Sequence, residues 1–162
     1  MESLAIIAEF NPFHTGHARL IRQVRQAAGP EAAIVIIMSG AFVQRGEPAF
    51  FDKWHRAAWA IDGGADVVIE LPAVYALSSA AGFAQGGVTL AARLGCQALA
   101  CGVEGGTAAD FLSLARRSEG LTACLKAAKK SSAGQQLTDA LMAATPDEAR
   151  LLQQPNAQLA SS

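Results

Sequence analysis

The chain has 162 residues, 51% of them apolar and 17% charged; this fits one domain with a real core and argues against intrinsic disorder. Thirteen Lys and Arg against fourteen Asp and Glu leave a net charge of −1, so no broad cationic field exists to drive nucleic-acid or membrane binding by itself. Cys96, Cys101 and Cys124 lack metal-site spacing and cannot complete a disulfide set, and neither a signal peptide nor a run of roughly 18 apolar residues is present, so a reduced, cytoplasmic protein with no membrane span is expected.

Short apolar runs alternate with helix-like segments. Leu4–Ala8 reads as a buried strand and Thr15–Ala28 as a helix. Ala33–Met38 is a second strand. Lys53–Asp62 is a helix stopped by Gly63-Gly64. Asp66–Leu71 is a third strand, Ser78–Leu94 a long helix ending at Gly95, and Ala98–Cys101 a fourth strand. Thr107–Arg117 is helical with Thr107 as its cap. Continuous apolar strands alternating with helices predict an α/β fold with a parallel sheet flanked by helices. In such sheets ligands bind beyond the carboxyl ends of the strands. The informative loops are therefore Glu9–Thr15, Ser39–Asp52, Pro72–Ser78 and Gly102–Gly106. After about Gly120 the pattern changes: a polar stretch is followed by two short helices, Gln135–Ala144 and Pro146–Gln154. The division expected is a nucleotide-binding Rossmann-like domain over 1–120 and a helical C-terminal extension over 121–162.

The strongest local signal is Glu9-Phe10-Asn11-Pro12-Phe13-His14-Thr15-Gly16-His17, which follows the first strand and opens the first helix. His14 and His17, three apart, share a helix face. Gly16 removes a side chain where a ligand could approach the backbone. The helix start offers free N–H groups and a positive dipole end to phosphate. Two imidazoles there can hydrogen-bond phosphate oxygens and stabilise developing charge. The plain alternative is a capped helix start with two surface histidines.

These residues carry a resemblance. His14-Thr15-Gly16-His17 is similar to the HxGH signature of the HIGH-type nucleotidyltransferases, whose domains are Rossmann-like. Together with Met38–Ala49, Asp52–Ala57, Asp66–Pro72, Phe83–Gly86 and Gly102–Glu104, it resembles the tRNA(Met) cytidine acetate ligase family. The likeness is dense over about residues 4–105. It implies that acetate attacks the α-phosphate of ATP to give acetyl-adenylate and pyrophosphate, and that the acetyl group passes to N4 of the wobble cytidine of elongator tRNA(Met). ATP, acetate and that tRNA are the implied partners. Magnesium is expected because ATP's phosphates need charge neutralisation; no metal ligands are readable in the chain. The resemblance gives His14 and His17 the catalytic role. It lays ATP along the segment Ile7, Ala8, Glu9, Phe10, Asn11, Pro12, Phe13, His14, Thr15, Gly16, His17, Ala18, Arg19 and Leu20, near Gly102 and near Asn156, after which Ala157 departs from the family's asparagine. Family members carry a further C-terminal region with an arginine-containing ATP contact and much of the tRNA surface. Neither is matched after Asn156, so weak ATP binding and poor tRNA acetylation are expected unless that region is supplied.

Other residues stay open between chemistry and structure. Ser39, Gly40 and Gln44 lie in a loop near the ligand edge, and Arg45 there has a fork of donors that could clamp phosphate or simply be solvated. Asp52 suits a helix cap. Lys53 and Arg56 share a face and could hold pyrophosphate or tRNA backbone, or be ordinary surface charges. Glu70 ends an apolar strand and is expected in a structural ion pair with one of them. Phe83, Trp54, Trp59 and Tyr75 are expected to pack in the core or loops rather than stack on bases. Asn11 either orients His14, binds ligand or serves the turn before Pro12. Two further functions fit the same motif: an adenylyltransferase moving AMP onto a small phosphorylated substrate, and a non-catalytic nucleotide-binding module. The oligomeric state is not readable from the chain.

Overall fold

A computed structural model describes residues 2–102. Over them run β1 (Ser3–Ala8), α1 (Thr15–Ala28), β2 (Ala33–Ser39), α2 (Lys53–Asp62), β3 (Val67–Leu71), α3 (Ala73–Ala76), α4 (Ala80–Arg93) and β4 (Ala98–Leu99). The strands form one parallel sheet in the order β3-β2-β1-β4. This is the α/β class expected. The helices expected at 107–117, 135–144 and 146–154, the boundary near 120, and Asn156 lie outside the described residues.

The central strands are apolar on both faces because both faces are covered. On one face Ile6, Ile34, Ile36 and Met38 meet Ile21 and Val24 of α1 and Ala60 of α2. Ile21, Ile34, Ile36 and Ile37 have no exposed surface, and each contributes about 1.5–3 kcal/mol of transfer free energy. On the opposite face α4 comes down directly onto β1. A Cβ at Gly87 would sit 2.6–2.8 Å from three side-chain carbons of Ile7, so only glycine permits this approach.

The chain steps from β1 to β2 to β3 toward one edge. Then α3 and α4 carry it back to β4, on the far side of β1. This reversal opens a crevice at the carboxyl ends of β1 and β4, where ligands bind in open α/β sheets. The segment 9–17 leaves β1 there, and Gly102 follows β4. A Cβ at Gly102 would lie 3.6 Å from Leu20 of α1, so the chain leaving β4 passes beside α1.

Three boundaries differ from the sequence reading, each for a local reason. Asp66 does not open β3, because its carboxylate accepts the Ile34 N–H at 2.7 Å and pairs with Arg25. The helix expected from Ser78 starts at Ala80, where the Ser79 hydroxyl accepts the Gly82 N–H at 3.3 Å. Ser78 instead closes α3 by donating to the Tyr75 carbonyl at 2.7 Å. β4 stops at Leu99, although the Ala100 N–H still reaches the Ala5 carbonyl at 2.9 Å.

Placing a branched side chain between α4 and β1 should force them apart. Gly87→Val is expected to lose about 1–3 kcal/mol of stability in urea unfolding; an unchanged midpoint would contradict this packing.

Candidate functional site

β1 delivers the chain to the crevice, and Phe10 turns it. Phe10 takes a left-handed backbone conformation, φ 50°, which costs a bulky residue roughly 1–2 kcal/mol. The turn drives its ring into the core, 2% exposed. There it packs 5.0 Å edge-on from Phe13 and 4.7 Å from the His17 ring. Phe13 lies over α2, its ring where a Cβ of Gly63 would be.

His14 is the N-cap of α1 and His17 its third residue. The rings stack 3.7 Å apart at 23°. Their Nδ1 atoms cap the helix reciprocally. His14 Nδ1 accepts the Gly16 N–H at 3.1 Å, and His17 Nδ1 accepts the His14 N–H at 3.3 Å. This is a capping box built from imidazoles. An Nδ1 that accepts carries no proton, so each neutral ring holds its proton on Nε2 and offers it as a donor. Burial, and then the neighbouring His14, push the His17 pKa down to about 4, so His17 is neutral at physiological pH.

The helix start therefore departs from the row of free amides expected. The His17 and Ala18 N–H groups reach the His14 carbonyl at 2.9 and 3.2 Å, and those of His14 and Gly16 serve the capping box. What remains is the dipole, the exposed Thr15, and two Nε2–H donors that hold no hydrogen bond among the described residues.

The loop after β2 is fastened against this segment. Its arms pair antiparallel, with a bridge between Phe42 and Pro48 and a tight 3-10 turn at Gln44–Gly46 that holds Arg45. Glu9 Oε1 accepts the Gln44 N–H, and Asn11 Oδ1 accepts the Phe50 N–H, each at 2.6 Å. Both polar side chains of the motif thus hold loop to loop.

Arg56 overturns its reading as a phosphate or tRNA contact. It has no exposed surface. Its guanidinium donates to the carbonyls of Phe51 at 3.0 Å, Glu9 at 2.6 Å and Gly40. Burial lowers its pKa, and Glu9, Asp52 and Glu70 pull it back up. The carbonyls need the fork geometry that only arginine offers. Ser39 and Gly40 are corrected as well: both are buried, the Ser39 hydroxyl has no partner among the described residues, and the Gly40 carbonyl is engaged by Arg56. Gly40 also has no room for a side chain, since its Cβ would overlap Glu70. Lys53 pairs with Glu70 at 2.6 Å, the structural ion pair expected; both ends are partly exposed, so it contributes at most about 1 kcal/mol. Asp52 caps α2, accepting the Trp54 and His55 N–H groups at 2.9 and 3.0 Å, and these bonds, the His55 one foremost, lower its pKa. Of the aromatics, Phe83 is core at 2% exposure, whereas Trp54 is 75% exposed beneath Lys53, against the packing expected.

Ile7 and Ala8 act through the sheet, Leu20 packs on the core, and Arg19 is exposed. The residue that sequence reasoning misjudged most is Arg56. Its one sequence signal is a position four residues after the α2 N-cap, on the same face as the buried Ala60.

Two outcomes follow. Arg56→Met should cost about 2–4 kcal/mol of stability in denaturant titration, with Arg56→Lys recovering less than half; wild-type stability in Arg56→Met would refute the brace. A histidine with a depressed folded pKa stabilises above its unfolded value, near 6.5, and loses that contribution as pH falls toward the folded one. The His17 ring should therefore titrate near 4 by NMR, and unfolding free energy should fall between pH 6.5 and 4 less steeply in His17→Gln. A midpoint near 6.5 would show the ring to be solvated.

Comparison with known proteins agrees with this geometry. A family model described as HIGH Nucleotidyl Transferase matches residues 1–162. A tRNA(Met) cytidine acetate ligase of Pediococcus pentosaceus is 52% identical over 104 residues, 64% of this chain and 28% of that one. One of Lysinibacillus sphaericus is 43% identical over 113 residues, 70% of this chain and 28% of that one. The crystal structure of Thermotoga maritima TmcAL bound with alpha-thio ATP superposes with a TM-score of 0.83 at 34% identity, over 99% of this chain and 42% of that one. The chain spans less than a third of the length of the curated relatives it matches. With a sheet that reverses beside β1 and a histidine pair capping the helix that follows, the chain belongs to the HIGH nucleotidyl transferase family.

Proposed function

We propose that this chain is the nucleotide-activating part of an ATP-dependent acetate ligase acting on tRNA. ATP lies along Ile7–Leu20 with its phosphates at the start of α1. An acetate oxygen attacks the α-phosphorus, pyrophosphate leaves, and acetyl-adenylate forms. The cytidine N4 of elongator tRNA(Met) then attacks the acetyl carbonyl and releases AMP. The observation that carries the reading is the stacked His14–His17 pair, whose Nδ1 atoms are engaged and whose Nε2 atoms hold no hydrogen bond among the described residues. The names of the relatives and the nucleotide held by the Thermotoga protein support it.

The chemistry suits the geometry. Charge grows on phosphate oxygens as the bond to pyrophosphate breaks. Donors already fixed in place stabilise that charge without reorganising. His17, being neutral, can donate but does not hold pyrophosphate as a fixed cation would. Acid chemistry by His17 is disfavoured, because a ring with a pKa of about 4 carries no spare proton at neutral pH. Among the described residues no group of three His, Cys, Asp or Glu could hold a metal ion. Magnesium, in this reading, comes with the nucleotide's phosphates rather than from a protein cage.

The test is acetate-dependent pyrophosphate release from ATP, followed by transfer of labelled acetate to tRNA(Met). His14→Ala and His17→Ala should each reduce pyrophosphate release roughly 100-fold or more, while losing only about 1 kcal/mol of stability as a helix cap. Wild-type turnover in both variants would remove the role assigned to the pair. A dinucleotide product made from a phosphorylated acceptor would replace the ligase with an adenylyltransferase.

A further inference from the structure

The concave surface at the start of α1 is shared: Pro12, Phe13, His14, Thr15 and Ala18 of the nucleotide segment line it, and it runs on past them. Between α1 and α2 runs an open groove of about 490 Å³ with His14 and Thr15 at its head. Its walls differ in kind. On the α2 side Phe51 and Trp59 meet edge to face at 4.9 Å, and Phe50, 79% exposed, extends the row at 5.0 Å from Phe51. On the other side stands α1, which carries Arg19, Arg22 and Arg25 and no acidic residue. Arg25 is held by Asp66; Arg19 and Arg22 are exposed and form no ion pair among the described residues. Arg22 lines the groove, and Asp62 supplies a carboxylate opposite it.

We propose that this groove receives an unpaired stretch of RNA. The phosphodiester backbone follows Arg22 and Arg19, and a base lies against Phe51 and Trp59. Arg22 on one side and the Phe51–Trp59 pair on the other give a cation for the backbone and a stacking surface for a base, the pairing by which single strands are held without their sequence being read. Asp62 can accept from an exocyclic amine of the stacked base. The inference rests on the ligase reading above and deepens it: the groove places neighbours of the reacting nucleotide beside the helix start where the adenylate forms. A protein partner would gain from the aromatic wall but has no evident use for Arg22 set beside a phosphate site.

The chain has two tryptophans, so Trp54→Phe leaves Trp59 as the only tryptophan, excited selectively at the red edge where Tyr75 does not absorb. A single-stranded heptaribonucleotide titrated into that 162-residue variant should quench Trp59. Adding Phe51→Ala should weaken binding roughly tenfold through lost stacking. Adding Arg22→Gln should weaken it and lower the slope of log affinity against log salt by about 0.7, one phosphate contact on a single strand. Phe51 and Arg22 lie outside the reacting centre, so acetate-dependent pyrophosphate release without RNA should stay at the wild-type level in both. No quenching, or equal affinity in all three proteins, overturns the groove. So does self-association that Phe51→Ala disperses while RNA affinity is unchanged, since the face would then cover a second copy. If RNA binds as described but no variant releases pyrophosphate, the groove stands and the ligase reading fails.

Discussion

Arg56 carries a charge into a position with no exposed surface and is kept there by backbone. Removing a guanidinium from water costs several kcal/mol, and charge-assisted hydrogen bonds return about 1.5–3 kcal/mol each. Its carbonyl acceptors belong to Glu9, just past β1; to Gly40, just past β2; and to Phe51, just before α2. One side chain thus fixes where two neighbouring strands release their loops. The Glu9 and Asn11 side chains complete the fastening by taking N–H groups from the second loop. With both loops held, the chain entering α1 has one path, through a left-handed Phe10.

That path decides the chemistry at the helix start. A helix N-terminus usually meets an anion with its own amides. Here the amides of His14 and Gly16 are satisfied by imidazole nitrogens, and those of His17 and Ala18 by the His14 carbonyl. The donor role passes to the two Nε2–H groups, while the dipole keeps its positive end at the same place. Contact with the Phe10 ring and with His14 keeps His17 neutral. In the proposed function, rings already fixed by the helix cap meet the condition for stabilising charge that appears only during reaction.

Much of this was legible in sequence because it is local. Thr15–Ala28 and Lys53–Asp62 have the bounds read from their caps and stops, since a cap, a helical period and a terminal glycine all lie within a few residues of one another. The Lys53–Glu70 pair was legible too: a carboxylate ending an apolar strand needs a partner, and few cations are near. Arg56 was not, because its partners are carbonyls 47 and 16 residues away as well as one five residues away, and a backbone carbonyl has no sequence signature. Ser39 and Gly40 looked like ligand contacts because they follow a strand, yet the loop folds back and buries them. The aromatic wall escaped notice for a related reason: Trp59 read as a packing residue, and its edge-to-face contact with Phe51 joins a helix to a loop.

The account stands or falls on the protonation pattern of two rings. Nitrogen-15 NMR of imidazole-labelled protein at neutral pH, before and after ATP, measures it directly. For His14 and His17 the account gives an unprotonated Nδ1 and a protonated Nε2 in the free protein, with the Nε2–H signals moving when the triphosphate binds. A proton on Nδ1 of either ring, or ATP binding that leaves both Nε2–H signals where they were, would contradict it.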